Sequence, residues 1–536
     1  HLSLRRQRQM CIRDSYRSGM TEILAKDSSL AQRFLPESVD RLIFVGSVLV
    51  IIGLCAPLAA YPPEAKTLLA NVFAQLTHNF GVLYLMGSFA ALLFLLGLAA
   101  SRFGDIKLGN VEPDFPTFSW SAMLFCGGIG TSILYWGTIE WTHYFQSPPF
   151  DVEPGTAEAL SWSTSYPIFH WGPIGWALYC LPGVAMSYSY HVRGASLRLS
   201  EACRPILGKL TDGPLGRIID LCFVIGLVGA CSTGFGLAIP LISTGISEIL
   251  SLDQAALGFA LEFMVIIFVT AIFSMSVWFG LERGIKRLSD LNVSLAIVLL
   301  LFIFVVGPTL FIVELGFESA GHMLQNFILM STWTDSAQTS SFVEGWTVFY
   351  WAWWLALGPY MGIFIAKISR GRTIRQVVLG CIGYGTLGSA AFFAILGNYA
   401  VYLEFNDLLP VVEILEAGGG DAAIISVLGT LPISGIVIFL FTVVCVIFAA
   451  TSYDSASYTI AACATKDLGR EEHPARWHRV FWACLLGVLP ITLIYVGGLD
   501  SLKSAVTVSS VPLFVIVLLV TLSLCKSLAA HQQTDR

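Results

Sequence analysis

Within residues 346–354 the chain carries four tryptophans, Trp346, Trp351, Trp353 and Trp354, in an apolar run that stops abruptly at Lys367, Arg370, Arg372 and Arg375. Leu, Ile or Val would supply the bulk a lipid-soluble segment needs. Indoles add electron-rich faces that attract a cation without a hydrogen bond or a counter-charge. A second aromatic set lies in His170-Trp171-Gly172-Pro173-Ile174-Gly175-Trp176-Ala177-Leu178-Tyr179. At about 100° per residue Trp171, Tyr179 and Trp176 fall near 0°, 80° and 140°, on one face of a helix. Pro173 removes a backbone donor, which predicts a local bend. Alone, that face reads more readily as packing. Beside the tryptophan cluster it becomes half of a cage able to close round a methylated ammonium, with an attraction of up to about 2 kcal/mol per desolvated ring.

Two further segments could hold the rest of a ligand. Cys126-Gly127-Gly128-Ile129-Gly130-Thr131-Ser132 is rich in glycine, which weakens a helix. In lipid such a break is tolerable only where it is buried or lines a cavity. An unwound strand there would aim N–H groups at a carboxylate and carbonyls at a cation; close packing of small residues explains the motif equally well. Phe448-Ala449-Ala450-Thr451-Ser452-Tyr453-Asp454-Ser455 offers hydroxyls and carbonyls that suit a hard cation such as sodium, or hydroxyls that merely bond back to the preceding turn. Asp454 should face the protein interior or a polar pocket. The lone groups Glu140, His170 and Asp220 read as structural rather than as a proton relay. No Ser/His/Asp set, phosphate loop or HExxH occurs, so nothing nominates a catalytic site and the chain reads as a non-enzyme.

Long apolar elements must position these groups. Runs of roughly 20 apolar residues, one bilayer crossing each, recur near 41–60, 78–101, 117–145, 166–190, 217–247, 257–280, 292–315, 344–367, 377–402, 432–463, 477–497 and 504–525. They predict an all-α integral membrane protein of about twelve transmembrane helices, with amphipathic stretches around 62–76, 317–332 and 408–418 on the surface. The totals agree: 536 residues, 55% hydrophobic and 12% charged, where soluble domains hold about 25% charged residues. The net charge of −6 is modest and nothing resembles a nucleic-acid face. The 12 cysteines are scattered without a CxxC pair and read as apolar filler.

Basic residues mark one side. The loops after helices two, four, six, eight and ten carry Arg102 and Lys107; Arg193, Arg198, Arg204, Lys209 and Arg217; Arg283, Lys286 and Arg287; Lys367, Arg370, Arg372 and Arg375; and Lys466, Arg470, Arg476 and Arg479. Loops after odd helices hold only Lys66 and Lys503, among acids such as Asp151, Glu153, Glu404 and Glu413. Both termini are therefore expected on the cytoplasmic side. Residues 1–19 are basic and lack the core of a secretory signal. They read as a non-native or disordered stretch before an expected start at Met20. Residues 20–40 form a cytoplasmic segment, 41–526 one composite membrane domain, and 527–536 a short tail.

From about residue 40 onward the chain resembles the betaine/carnitine/choline transporters over nearly its whole length. Trp346–Arg375 looks like that family's signature span and its SRGRT loop. Support comes from FHWG at 169–172, Phe235-Gly236-Leu237-Ala238 and Gly497-Gly498-Leu499, while SPPF at 147–150 and HWGP at 170–173 look most like the carnitine branch. The resemblance implies two inverted five-helix repeats of the LeuT-like kind, here about 117–315 and 344–525, preceded by two extra helices. It also implies assembly as a homotrimer in the cell's inner membrane. Its aromatic cage would fall on Trp171, Trp176, Tyr179 and Trp354, with Trp353 adjacent. Gly128 and Gly130 would meet the substrate's polar end. Sodium would be held by backbone near Cys126 and Ile129 with Phe448, Thr451 and Ser452, and a second sodium between Thr233 and Tyr360.

The sequence also departs from that pattern. Gly128-Ile129-Gly130-Thr131-Ser132 replaces the Gly-x-Gly-x-Gly of sodium-coupled betaine members, and Leu357 stands where they carry another tryptophan. Met361 matches the sodium-independent carnitine exchangers, whereas Thr451-Ser452 matches the sodium-coupled branch. The expectation is a secondary active transporter for a small methylated onium compound (glycine betaine, carnitine, choline or a sulfonium analogue), with sodium symport favoured by the hydroxyl pair. A sodium-independent exchanger and a ligand-binding osmotic sensor are the alternatives.

Overall fold

A computed structural model describes residues 36, 38–128, 130–279, 282–466, 468 and 472–534. Among the described residues the regular structure is helical, with two isolated antiparallel bridges, Val39–Thr465 and Lys107–Thr373. The helices are α1 Arg41–Ala60, α2 Pro62–Ala100, α3 Thr117–Gly128, α4 Thr131–Gln146, α5 Ala157–His170, α6 Pro173–His191, α7 Pro214–Leu250, α8 Phe259–Phe279, α9 Glu282–Val306, α10 Thr309–Thr332, α11 Phe349–Ile368, α12 Ile374–Phe392, α13 Asn398–Phe405, α14 Val411–Gly429, α15 Ser434–Cys463 and α16 Arg476–Thr534. Short helical turns fill several of the connections, and two π-helical turns, Val343–Val348 and Phe393–Gly397, lead into α11 and α13.

Seven helical stretches among the described residues are long and apolar enough to cross a bilayer: Arg41–Ala60, Pro62–Ala100, Pro214–Leu250, Val343–Ile368, Ile374–Phe405, Ser434–Cys463 and Arg476–His531. The segment Asp290–Val306 meets Thr309–Thr332 at 108°. Gly307-Pro308 explains that corner, because proline removes a donor and disfavours helical backbone before it.

Several sequence-derived boundaries change. Residues 62–76 do not form a separate surface helix. Pro62 and Pro63 occupy the first turn of α2, where their missing N–H groups cost nothing, and no breaker follows before Ser101. The expected span at 117–145 is two helices, α3 and α4, and the span at 166–190 is likewise split into α5 and α6. The amphipathic stretches are longer than expected, forming α10 and α14. The last two spans follow one another within α16, interrupted only by non-helical Gly497 and Gly498. At Gly498 φ is +59°, a conformation glycine adopts without the penalty a Cβ brings.

The basic loop after α11 is a clamp. Leu108 N–H donates to Arg372 O at 2.8 Å, and Gly371 N–H donates to Leu108 O at 2.7 Å. The Arg372 guanidinium lies 4.1 Å from the centre of the Trp120 ring and donates to Phe115 O. Arg375 pairs with Asp105 at 2.6 Å and donates to Ala99 O at 2.8 Å. The loop thereby fastens the α11–α12 corner to the α2–α3 connection.

In the opposite kind of loop, Asp335 accepts from the backbone and hydroxyl groups of both Thr339 and Ser340. Burial alone would raise its carboxyl, but these donors outweigh that and hold it below its ordinary value.

In the interior, α11 packs on α6, α7 and α16, and α7 also lies along α15 and α16. This places both aromatic sequence clusters and the α3–α4 break around one interior space.

Candidate functional site

The α5–α6 break sets the first ring. Trp171 does not lie on a continuous helix with Trp176 and Tyr179, as the angular reading assumed. It is the terminal residue after α5, and Pro173 opens α6 rather than kinking it. Gly172 allows the corner to be tight, since a Cβ there would fall 2.3 Å from Ile168 O. The indole still turns inward, because its Nε1–H donates to Glu140 Oε2 at 3.0 Å.

Trp354 of α11 meets three rings from across the molecule: Trp171 at 5.6 Å between centroids and 75°, Trp176 at 5.6 Å and 58°, and Tyr179 at 4.4 Å and 53°. Trp353 lies edge-on to Trp171 at 5.9 Å and 86°, its Nε1–H donating to Ala230 O of α7. Such tilted and edge-to-face arrangements are the favoured ones for aromatic pairs. Helices α6 and α11 approach this closely because residue 175 has no side chain: a Cβ there would stand 2.6 Å from Trp354 Cε2.

Trp171, Tyr179, Trp353 and Trp354 bound a cavity of about 110 Å³. It is lined by Gly130, Thr131 and Ser132 of the α3–α4 break, Trp171, Tyr179, Ala230, Cys231, Gly234 and Phe235, then Trp353, Trp354, Leu357, Tyr360 and Met361 of α11, and Ser452 and Ala456 of α15. The lining combines aromatic faces with the main chain of Gly130, which has no side chain to cover it. α4 begins at Thr131 with extended Gly130 before it (φ −125°, ψ −157°), so the positive end of a helix dipole meets the cavity. Such an end favours an anionic group, while the ring faces favour a cation.

Four of the five predicted aromatic residues thus share the lining. Trp176 is not part of it. It stands behind Trp354, fully buried, with Nε1–H donating to Ser389 Oγ at 3.2 Å and its ring against Gly385, where a Cβ would come within 2.1 Å. Its place is to back Trp354 rather than to face the cavity.

The residues predicted for sodium divide. Ile129 lies outside the described residues; Cys126 and Gly128 belong to the last turn of α3. Ser452 lines the cavity and its hydroxyl is 3.6 Å from where a Cβ on Gly130 would stand. The Thr451 hydroxyl bonds back to Ile447 O at 2.9 Å and Phe448 O at 3.1 Å, the alternative open at the sequence level. Thr233 donates to Leu502 O on α16 at 3.3 Å, whereas Tyr360 lines the cavity. Asp454 pairs with Arg479 at 2.8 Å.

Glu140 is the residue whose place the sequence did not reveal. It is completely buried in α4 and accepts three hydrogen bonds: from Tyr144 OH at 2.6 Å, Tyr350 OH at 2.6 Å and Trp171 Nε1–H at 3.0 Å. Tyr144 OH also contacts His170 Nδ1 at 2.9 Å, and His170 Nε2 contacts Thr347 Oγ1 at 3.1 Å. The network joins α4, α5 and α11 and fixes the Trp171 ring. Its sequence signal was an isolated acid in an apolar segment, with no indication of which ring it would hold.

Residues 42–533 match the profile of the betaine/carnitine/choline family transporters. A carnitine transporter of Acinetobacter baumannii is 34% identical over 490 residues, covering 91% of this chain and 88% of that protein. A glycine betaine transporter of Acinetobacter baylyi is 32% identical over 506 residues, 94% of this chain and 75% of its own. An ectoine/glycine betaine/proline transporter of Corynebacterium glutamicum is 32% identical over 499 residues, 91% and 80% respectively. With its apolar helices, the chain is a multi-pass membrane protein, and it belongs to the betaine/carnitine/choline family of transporters.

Proposed function

We propose that this protein is a secondary active transporter for a small methylated onium compound, bound in the cavity between α4, α6, α7, α11 and α15. The observation that carries the reading is the convergence of Trp171, Tyr179, Trp353 and Trp354 on one cavity that Gly130, Thr131 and Ser132 at the start of α4 also line. The onium head would lie against the rings, and the α4 N-terminus would receive the substrate's polar end. Trp176 and Glu140 would hold the rings in place. The twelve-helix arrangement of two inverted repeats, rocking to alternate access, is part of the proposal, as are the homotrimer, the inner-membrane location and the cytoplasmic termini.

Sodium symport is the coupling we favour. The α15 hydroxyls and carbonyls are hard oxygen donors, and Ser452 stands beside Gly130. A sodium ion travelling with the substrate would tie α15 to the start of α4 and stabilise the occupied state. Met361, which lines the cavity, favours the second reading, sodium-independent exchange.

The test is uptake of labelled glycine betaine and carnitine into liposomes holding the purified protein, with Trp354→Leu as the comparison. Accumulation that fails in the variant supports the cage; equal affinity of both proteins for every onium substrate refutes it. Binding without accumulation would make the protein a sensor.

A further inference from the structure

Lys503 is one of only two basic residues that the sequence places on the acidic side of the membrane, and the onium reading leaves it without a part. In the structure it is 8% exposed on α16. Its Nζ lies 3.9 Å from the centre of the Trp346 ring and 5.2 Å from that of Phe349. Among the described residues no carboxylate is within ion-pair distance of it. Two other polar nitrogens around the same indole are buried without a hydrogen-bond partner among the described residues, Trp136 Nε1 and His143 Nε2. Trp136 meets Trp346 at 5.7 Å and His143 meets it at 5.0 Å. This pocket therefore holds a cation and unsatisfied nitrogens with no carboxylate in ion-pair contact among the described residues; Asp500, one turn earlier on α16, acts on Lys503 from beyond that distance. It connects to the cage through rings: Phe349 stacks on Trp353 at 5.8 Å and 21°, and Trp353 lines the cavity.

We propose that Lys503 is a specificity-determining residue that admits onium compounds carrying a carboxylate and disfavours those that are purely cationic. The inference rests on the onium reading above and narrows it, naming zwitterions of the betaine and carnitine type over choline. A positive charge in a water-poor place acts over roughly 10 Å with little screening. Seven helical residues separate Trp346 from Trp353, about 10 Å at 1.5 Å per residue. A choline-like cation meets repulsion from Lys503 along that approach. A zwitterion presents a carboxylate, for which the ammonium exchanges its indole face, so attraction offsets the repulsion felt by the head.

The experiment compares wild type, Lys503→Met and Lys503→Arg in liposomes. It measures uptake of labelled glycine betaine and its inhibition by unlabelled glycine betaine, carnitine and choline, with tryptophan fluorescence reporting the folded state. In Lys503→Met the inhibition constant for choline should fall while those for the two zwitterions rise, changing their ratio about tenfold; Lys503→Arg should keep the wild-type ratio. Opposite movements of the two ligand classes cannot come from general damage to the fold. An unchanged ratio in folded Lys503→Met, or movement of all three constants in the same direction, would overturn the role of Lys503 and leave the cage reading standing. Wild type that responds to none of the three compounds would overturn both.

Discussion

Replacing Glu140 by Gln tests whether ring placement, and not aromatic content alone, makes the site. The carboxylate accepts from Tyr144, Tyr350 and Trp171 at once. An amide of the same shape offers one oxygen and two N–H donors, so at least one of the three donors loses its acceptor. If the amide nitrogen takes the place of Oε2, both the Tyr350 hydroxyl and the Trp171 indole N–H face a donor. Leaving one buried donor unsatisfied costs about 1–3 kcal/mol. Trp171 escapes that cost by swinging off the cavity wall, so the same energy is lost from ligand binding. At 1.4 kcal/mol per tenfold, affinity should weaken by roughly 5- to 150-fold. The assay is a fluorescence titration of purified Glu140→Gln with glycine betaine and carnitine, beside a melting curve. A variant that binds both compounds as wild type does, with an unchanged melting temperature, refutes the idea that this carboxylate positions the ring.

Other expectations follow from the same geometry. Gly175→Ala should reduce onium affinity roughly 5- to 150-fold, because overpacking by a buried methyl typically costs about 1–3 kcal/mol and this one would strike Trp354; normal affinity would count against the close α6–α11 approach. Uptake in sodium medium should exceed uptake in potassium medium, and Ser452→Ala should remove the difference, whereas indifference to sodium in wild type selects the exchange reading. Arg375→Ala should lower the melting temperature without changing ligand affinity, since its bonds to Ala99 and Asp105 lie in the loop clamp and not at the cavity. Asp335→Asn should destabilise the protein at neutral pH. The folded carboxyl titrates below its ordinary value, so its contribution is present above about pH 3.9, the unfolded value, and fades as pH falls further; the gap between the two melting curves should therefore narrow in acid.

The aromatic lining was legible because tryptophan clustering in an apolar segment has few structural explanations, and two such clusters were present. The corner at Trp171 was not. The angular argument treated residues 170–179 as one helix, and Gly172-Pro173 ends one helix and starts another. The inward turn of that ring depends on Glu140, 31 positions earlier, and sequence spacing carries no information about such a contact. Trp176 shows the reverse case: its type and position pointed to the cavity, yet Gly385 opens a slot on α12 into which it sinks. Helix boundaries shifted where breakers were absent, as at 62–76, which runs on into α2. The Arg372 and Arg375 pattern served at the sequence level only as a loop marker, and composition could not reveal that both arginines clasp the α2–α3 connection.

Gly130 has no side chain and so presents main chain to the cavity, and a peptide N–H is the same in every residue but proline. A contact made there cannot be deleted by exchanging one side chain for another. Point substitution can reach only the walls around it, so a lineage could drift from one ligand to a neighbouring one by recasting Leu357 or Met361 while the peptide end of the pocket stayed untouched. Inherited change in preference should accordingly be sought on α11, and loss of all preference at the rings.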